Sequence, residues 1–124
     1  MKISLETLLP QIVSAGLRPG AETPPRQALA HGSMAVELVT PQTGTPTAPL
    51  AQDALYVIAG GSAGFELDGE ETQATAGDVF FVRAGRSHRV TEPSETFVAW
   101  AIVYGPEGGE APAPSPSVFA DVDA

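Results

Sequence analysis

The chain is predicted to fold as an all-β sandwich or small barrel led by a short N-terminal helical segment. About eight short runs between Gln27 and Tyr104 alternate apolar and polar residues, the period of half-buried strands. Gly, Pro and Asp turn signals separate these runs at roughly 8- to 12-residue spacing, as sandwiches and small barrels require. Only the stretch before Gly16 carries helical spacing instead.

That first element spans residues 4 to 15. Leu5, Leu8, Leu9, Ile12 and Val13 form one apolar face, Ser4 stands where an N-cap belongs, and Gly16 supplies a stop. Pro10 removes one backbone donor and crowds the preceding turn, so two short helical turns joined or kinked there are expected. A polar link follows to Pro25. Gln27–Ala30 is a short strand, and Met34–Thr40 a longer one with Met34, Val36 and Leu38 on one face. A Thr/Pro/Gly loop from Pro41 to Pro49 leads to an apolar strand, Leu55–Ala59, ended by Gly60-Gly61. Phe65–Leu67 and Thr72–Ala74 flank Asp68-Gly69, a dipeptide suited to two-residue hairpins because both positions tolerate positive φ. Val79–Val82, Ser87–Thr91 and Phe97–Tyr104 complete the set. Residues 106–124 are rich in Pro, Ala, Ser, Gly and acid and read as a disordered tail, with Val118-Phe119 its one apolar dipeptide. The expected organisation is therefore a helical segment and linker over 1–25, a barrel over 26–105, and a tail.

Composition narrows the function. A chain of 124 residues with 43% hydrophobic content fits one domain with a real core. There is no cysteine, which excludes disulfides, thiolate metal sites and a thiol nucleophile. No apolar run approaches the roughly 20 residues of a membrane span, and Met1-Lys2-Ile3-Ser4 lacks the apolar core of a signal peptide. A cytoplasmic protein without a membrane partner is expected. The net charge of −9 argues against nucleic acid, because phosphate binding needs clustered cations. Yet three of the six Lys and Arg residues (Arg83, Arg86 and Arg89) crowd around His88. They either attract an anionic ligand or pair with neighbouring Glu and Asp.

The most informative stretch is Gly77-Asp78-Val79-Phe80-Phe81-Val82-Arg83-Ala84-Gly85-Arg86-Ser87-His88: a strand, a Gly turn, and a strand that aims a histidine back into the fold. It resembles the second conserved motif of the cupins, which runs Gly, five residues, Pro, any residue, Gly, two residues, His. The glycines and the histidine are in register, and Arg83 replaces the proline. Asp53-Ala54-Leu55-Tyr56-Val57-Ile58-Ala59-Gly60 resembles the end of the first cupin motif, with Asp53 where the family has Glu. The run Phe65-Glu66-Leu67-Asp68-Gly69-Glu70 is similar to that of small single-domain cupins. The resemblance covers roughly residues 26–104 and implies a double-stranded β-helix, or jelly-roll barrel. It also implies a homodimer, for which an apolar outer sheet face would be the physical motive.

The family's metal centre uses three histidines and one carboxylate. Counting back from Asp53, the first two histidine positions fall on Thr47 and Pro49, or on Pro46 and Ala48, none of which carries an imidazole. The set shrinks to His88 and Asp53, fewer than the three or four ligands of a dedicated site. No tightly held metal is therefore expected. His31, beside Gly32 at a strand junction, is expected at the rim.

His88 reads either as a neutral imidazole hydrogen-bonded to a buried partner, with Asp53 across the barrel the candidate, or as an acid–base group that Asp53 orients. If Asp53 points inward, alternation brings Leu55 and Val57 with it, and His88 brings Val90. Met34, Val36, Leu38, Phe65, Leu67, Val79 and Phe81 are further lining candidates. For the last strand, Trp100, Ile102 and Tyr104 compete with Phe97, Ala99 and Val103. The expected ligand set is Asp53, Leu55, Val57, Phe81, Arg83, His88 and Val90, around a small and potentially anionic organic molecule. The alternative is a metal-dependent cupin enzyme, of dioxygenase or isomerase type, holding a divalent transition metal on His88 and Asp53. A third reading is metal-free acid–base catalysis by His88.

Overall fold

The structure, a computed structural model, describes residues 1–16, 27–45 and 48–111. The linker after Gly16, the candidate positions Pro46 and Thr47, and the tail from residue 112 with Val118-Phe119 lie outside the described residues. Among the described residues one helix, α1 (Leu5–Gly16), precedes eight strands: β1 (Gln27–His31), β2 (Met34–Val39), β3 (Asp53–Gly60), β4 (Ser62–Leu67), β5 (Glu70–Thr75), β6 (Val79–Val82), β7 (His88–Thr91) and β8 (Val98–Tyr104).

Helix α1 is one element that continues through Pro10, the joined form of the two expected turns. The backbone carbonyl of Ser4 accepts from the Leu8 amide at 2.9 Å and opens it. A proline in a helix interior costs about 3 kcal/mol. Leu5, Leu8, Leu9 and Ile12 pack on Leu38, Val98 and Trp100 of the sheet below. Burying one apolar side chain returns roughly 1.5–3 kcal/mol, so the packed face outweighs the proline. The side chain of Val13 is outside the described part.

The strands form two antiparallel sheets, one ordered β1-β2-β8-β3-β6 and the other β5-β4-β7. This is the jelly-roll, or double-stranded β-helix, arrangement. The main core lies between the sheets. Tyr56 and Ile58 of β3, Phe65 of β4, Ala74 of β5, Val82 of β6, and Ala99 and Ala101 of β8 meet there, with Phe97 just ahead of β8. Phe80, Val90 and Val103 are partly buried against them.

These contacts fix the two faces of the larger sheet. Ala99, Ala101 and Val103 face the interior, so Trp100, Ile102 and Tyr104 face out. Across the sheet, Leu38 pairs with Trp100, Trp100 with Val57, and Val57 with Val79. In the next row Val36 pairs with Ile102, Ile102 with Leu55, and Leu55 with Phe81. Residues paired across antiparallel strands share a face. Val36, Leu38, Leu55, Val57, Val79 and Phe81 therefore lie outside the barrel, contrary to their expected place in its lining. The inward residues of β3 are Ala54, Tyr56 and Ile58.

Candidate functional site

The site begins with a polar pair in an aromatic interior. Strand β7 enters the barrel at His88, which is 7% exposed. Its Nε2 lies 2.6 Å from the hydroxyl of Tyr56 on β3, and its Nδ1 faces the backbone carbonyl of Arg86 at 3.4 Å. A carbonyl can only accept, so Nδ1 carries the proton in the neutral ring and Nε2 offers a lone pair. Tyr56 therefore donates and His88 accepts. Burial pushes the His88 pKa below its ordinary value of 6.5, with partial opposition from the Arg86 carbonyl. The resting imidazole is neutral at physiological pH.

Aromatic rings frame this pair. Phe65 meets Tyr56 edge-on at 5.4 Å and stacks on Phe80 at 4.3 Å, and the His88 ring lies 5.3 Å from that of Tyr56. Val90 sits two residues beyond His88, packs against the core and pairs with Phe65, so this neighbour faces inward as alternation requires. Its amide donates to the Thr45 hydroxyl at 3.3 Å, which ties the loop after β2 to β7. Leu50 and Leu67 pack against the same cluster.

Asp53 is not the partner of His88. It pairs with Tyr104, which shares the outward face of β8 with Trp100, so its carboxylate belongs to the other side of the sheet. It is nevertheless only 4% exposed, because the chain after β8 covers it. Its Oδ1 accepts from the Ala84 amide and its Oδ2 from the Glu110 amide, each at 2.9 Å. Burial, followed by the charges of Asp53 and Glu110, pushes the Tyr104 phenol up, which places all three groups in one neighbourhood. Gly108 and Glu110 thus tie the segment after β8 to the barrel, and the tail from residue 112 lies outside the described residues.

The expected ligand set divides accordingly. His88 and Val90 are inside, whereas Asp53, Leu55, Val57 and Phe81 are on the outer face of the larger sheet. Arg83 is half-buried in the turn after β6 and makes no ion pair among the described residues. The other two arginines of the cluster pair with acids, Arg86 with Asp68 at 2.6 Å and Arg89 with Glu66 at 3.2 Å. Arg89 and Glu66 also border an open groove of about 600 Å³ over the three-stranded sheet. His31 ends β1 and is exposed.

The residues present do not fit the metal centre that the fold implies. Both Asp53 oxygens hold backbone amides on the far side of the sheet, and Nε2 of His88 accepts the tyrosine hydrogen bond. Ala48 and Pro49 are exposed and have no ligating side chain. Among the described residues, no three His, Asp or Glu side chains converge to hold an ion. Sequence reasoning missed Tyr56 as a site residue. The available signal was parity: Ala54, Tyr56 and Ile58 alternate on the face opposite Asp53.

The barrel, its two motifs and the inward histidine together define a cupin. The cupin-domain family profile matches residues 36–104, and the chain belongs to that family. A cupin-2 domain containing protein from Shewanella frigidimarina is 14% identical with a TM-score of 0.60, over 83% of this chain and 94% of its own. A double-stranded β-helix protein from Klebsiella pneumoniae is 20% identical with a TM-score of 0.57, over 77% and 87%. A candidate mannose-6-phosphate isomerase from Ralstonia eutropha is 24% identical with a TM-score of 0.56, over 68% and 87%. These three likenesses are of fold. None of the curated proteins matches the sequence. Among the described residues no helix is long and apolar enough to cross a membrane.

Proposed function

We propose that this cupin domain binds a small organic molecule inside its barrel, beside His88 and Tyr56, without a tightly held metal. One observation carries the reading: a hydrogen-bonded Tyr–His pair is buried among Phe65, Phe80 and Val90. Apolar walls with a few fixed polar groups are the usual composition of a small-molecule site. A carboxylate or phosphate ester is the favoured class. An anion would draw a proton onto His88 and gain a charge-assisted bond, and Arg83 supplies a cation with no ion pair among the described residues. The barrel over residues 26–105 is the binding unit, and residues 1–25 are its helical lead and linker.

The same pair supports a second reading, proton transfer by His88 on the bound molecule. Its neutral imidazole and hydrogen-bonded phenol are the two forms that acid–base work needs. The outer face supports pairing of two copies, because Val36, Ile102, Leu55 and Phe81 form an apolar row across four strands.

The test is a thermal-shift and calorimetric screen of small carboxylic acids and sugar phosphates, with metal analysis of the purified protein. A sugar phosphate is a sensible first panel member because the Ralstonia neighbour carries that description. A binder should raise the melting temperature of the parent and lose its effect in Tyr56→Phe and His88→Ala. Binding without turnover separates the two readings. A stoichiometric metal lost in His88→Ala would overturn both, as would a ligand indifferent to both substitutions.

A further inference from the structure

A path of hydrogen bonds, bridged by the backbone between Ala84 and Arg86, passes through the barrel wall from the segment after β8 to the interior histidine. On the outside, the Gly108 amide donates to the Ala51 carbonyl at 2.7 Å, and the Gln52 side chain donates to the Gly105 carbonyl at 2.7 Å. The Glu110 amide reaches one oxygen of Asp53 at 2.9 Å. The other oxygen takes the Ala84 amide in the turn after β6, also at 2.9 Å. The Gly85 amide donates to the Leu50 carbonyl at 2.8 Å, and the Arg86 amide closes the turn on the Arg83 carbonyl at 3.1 Å. The Arg86 carbonyl then faces Nδ1 of His88, whose Nε2 meets Tyr56.

We propose that Asp53 is a positioning residue: by clasping the turn after β6 to the segment after β8, it sets which ring nitrogen of His88 carries the proton. The carboxylate is acceptor-only and here meets two donors, both bonds strengthened by its charge. Its grip on Ala84 fixes the peptide units that carry the Arg86 carbonyl, two residues along. That carbonyl requires Nδ1–H, and Nδ1–H leaves Nε2 free to accept from Tyr56. When the turn shifts, Nδ1 loses its acceptor. The proton can then move to Nε2, which reverses the direction of the bond to Tyr56. In this chain the carboxylate position of the first cupin motif acts on the interior through the backbone, from the opposite face of the sheet.

The proposal deepens the ligand reading, since the pair it controls is the polar end of the suggested pocket. Its readout is proton position rather than binding, so either can fail alone. The experiment is nitrogen-15 NMR of the histidine rings in the full chain, with amide hydrogen exchange. The parent should show His88 as a single Nδ1–H tautomer. In Asp53→Asn the side-chain amide presents a donor to one of the two backbone amides. A mixture with the Nε2–H form should then appear, and exchange at Ala84 or Glu110 should accelerate about tenfold or more. Gly109→Ala perturbs the clasp from the other side, because a Cβ there would lie 2.6 Å from Asp53 Oδ1. It should produce the same change and decides the matter if Asp53→Asn does not fold. The exposed His31 ring should be unaffected and serves as an internal control. Folded variants with the parent His88 ring signals, or with parent exchange at both amides, would overturn the proposal.

Discussion

Tyr56 and His88 join the two sheets through one short hydrogen bond, 2.6 Å between hydroxyl and ring nitrogen, with β3 on one side of the sandwich and β7 on the other. Both residues are buried, Tyr56 to 1% exposure. Tyr56→Phe keeps the ring and deletes the donor, which strands a lone pair of His88 in an apolar interior. The expected cost is about 1–3 kcal/mol, the usual penalty for an unsatisfied buried group. Urea denaturation measures it. The double variant Tyr56→Phe, His88→Leu should recover part of that loss, because it removes both polar partners. Strictly additive costs would show that the bond contributes nothing of its own.

The histidine also gives stability a pH dependence of definite sign. Burial holds the folded-state pKa below the ordinary 6.5, so near and below that value the unfolded chain binds more protons than the folded one. This contribution is fully present above the unfolded pKa and is lost as pH falls toward the folded value. The midpoint of denaturation should therefore be insensitive to His88 between pH 7 and pH 8, on the order of one unit above that reference. It should decline below about pH 6.5. His88→Gln should flatten this part of the profile. The same decline in His88→Gln and the parent would assign the effect to other groups.

Most of the fold was legible because its signals are local. All eight strands appear where alternation and turn residues place them, and the Asp68-Gly69 turn has φ of +50° and +85°, as a two-residue hairpin requires. The facing of the larger sheet was not legible, since both faces of β3 and β8 are apolar. One packs on the second sheet, while α1 covers part of the other. The large side chain of Trp100 suggests an interior position, yet the inward places of β8 hold Ala99 and Ala101 opposite Tyr56, Phe65 and Phe97. Asp53 misled for a related reason. It is buried, but beneath the segment after β8, a contact that no local pattern announces.

Gly61 and Gly69 both have positive φ, at +67° and +85°, yet they should respond differently to alanine. A Cβ at Gly69 meets nothing within 4 Å, so only the backbone penalty of roughly 1–2 kcal/mol applies. A Cβ at Gly61 would lie 2.5 Å from the backbone N and Cα of Phe97, a core residue that cannot move aside. Overpacking adds about 1–3 kcal/mol to the same backbone cost. Gly61→Ala should be the more destabilising substitution in thermal or urea melts. Equal losses would mean that the chain before β8 yields at little cost.

The outer face makes the last test, because it separates pairing from ligand binding. Leu55 and Phe81 are half-buried, adjacent in register, and on the opposite side of the sheet from His88. Val79 at the sheet edge is 56% exposed, a further apolar side chain on this face. If two copies pair through this face, Leu55→Glu places a charge in the contact, where desolvation opposes it by several kcal/mol. In one folded copy the same glutamate reaches water and should cost little. Light scattering coupled to size exclusion should show a dimer for the parent and a monomer for the variant, with ligand-induced thermal shifts retained. A dimer that survives Leu55→Glu and Phe81→Glu alike would place the contact elsewhere. Loss of ligand response in the monomer would instead show that pairing completes the barrel site.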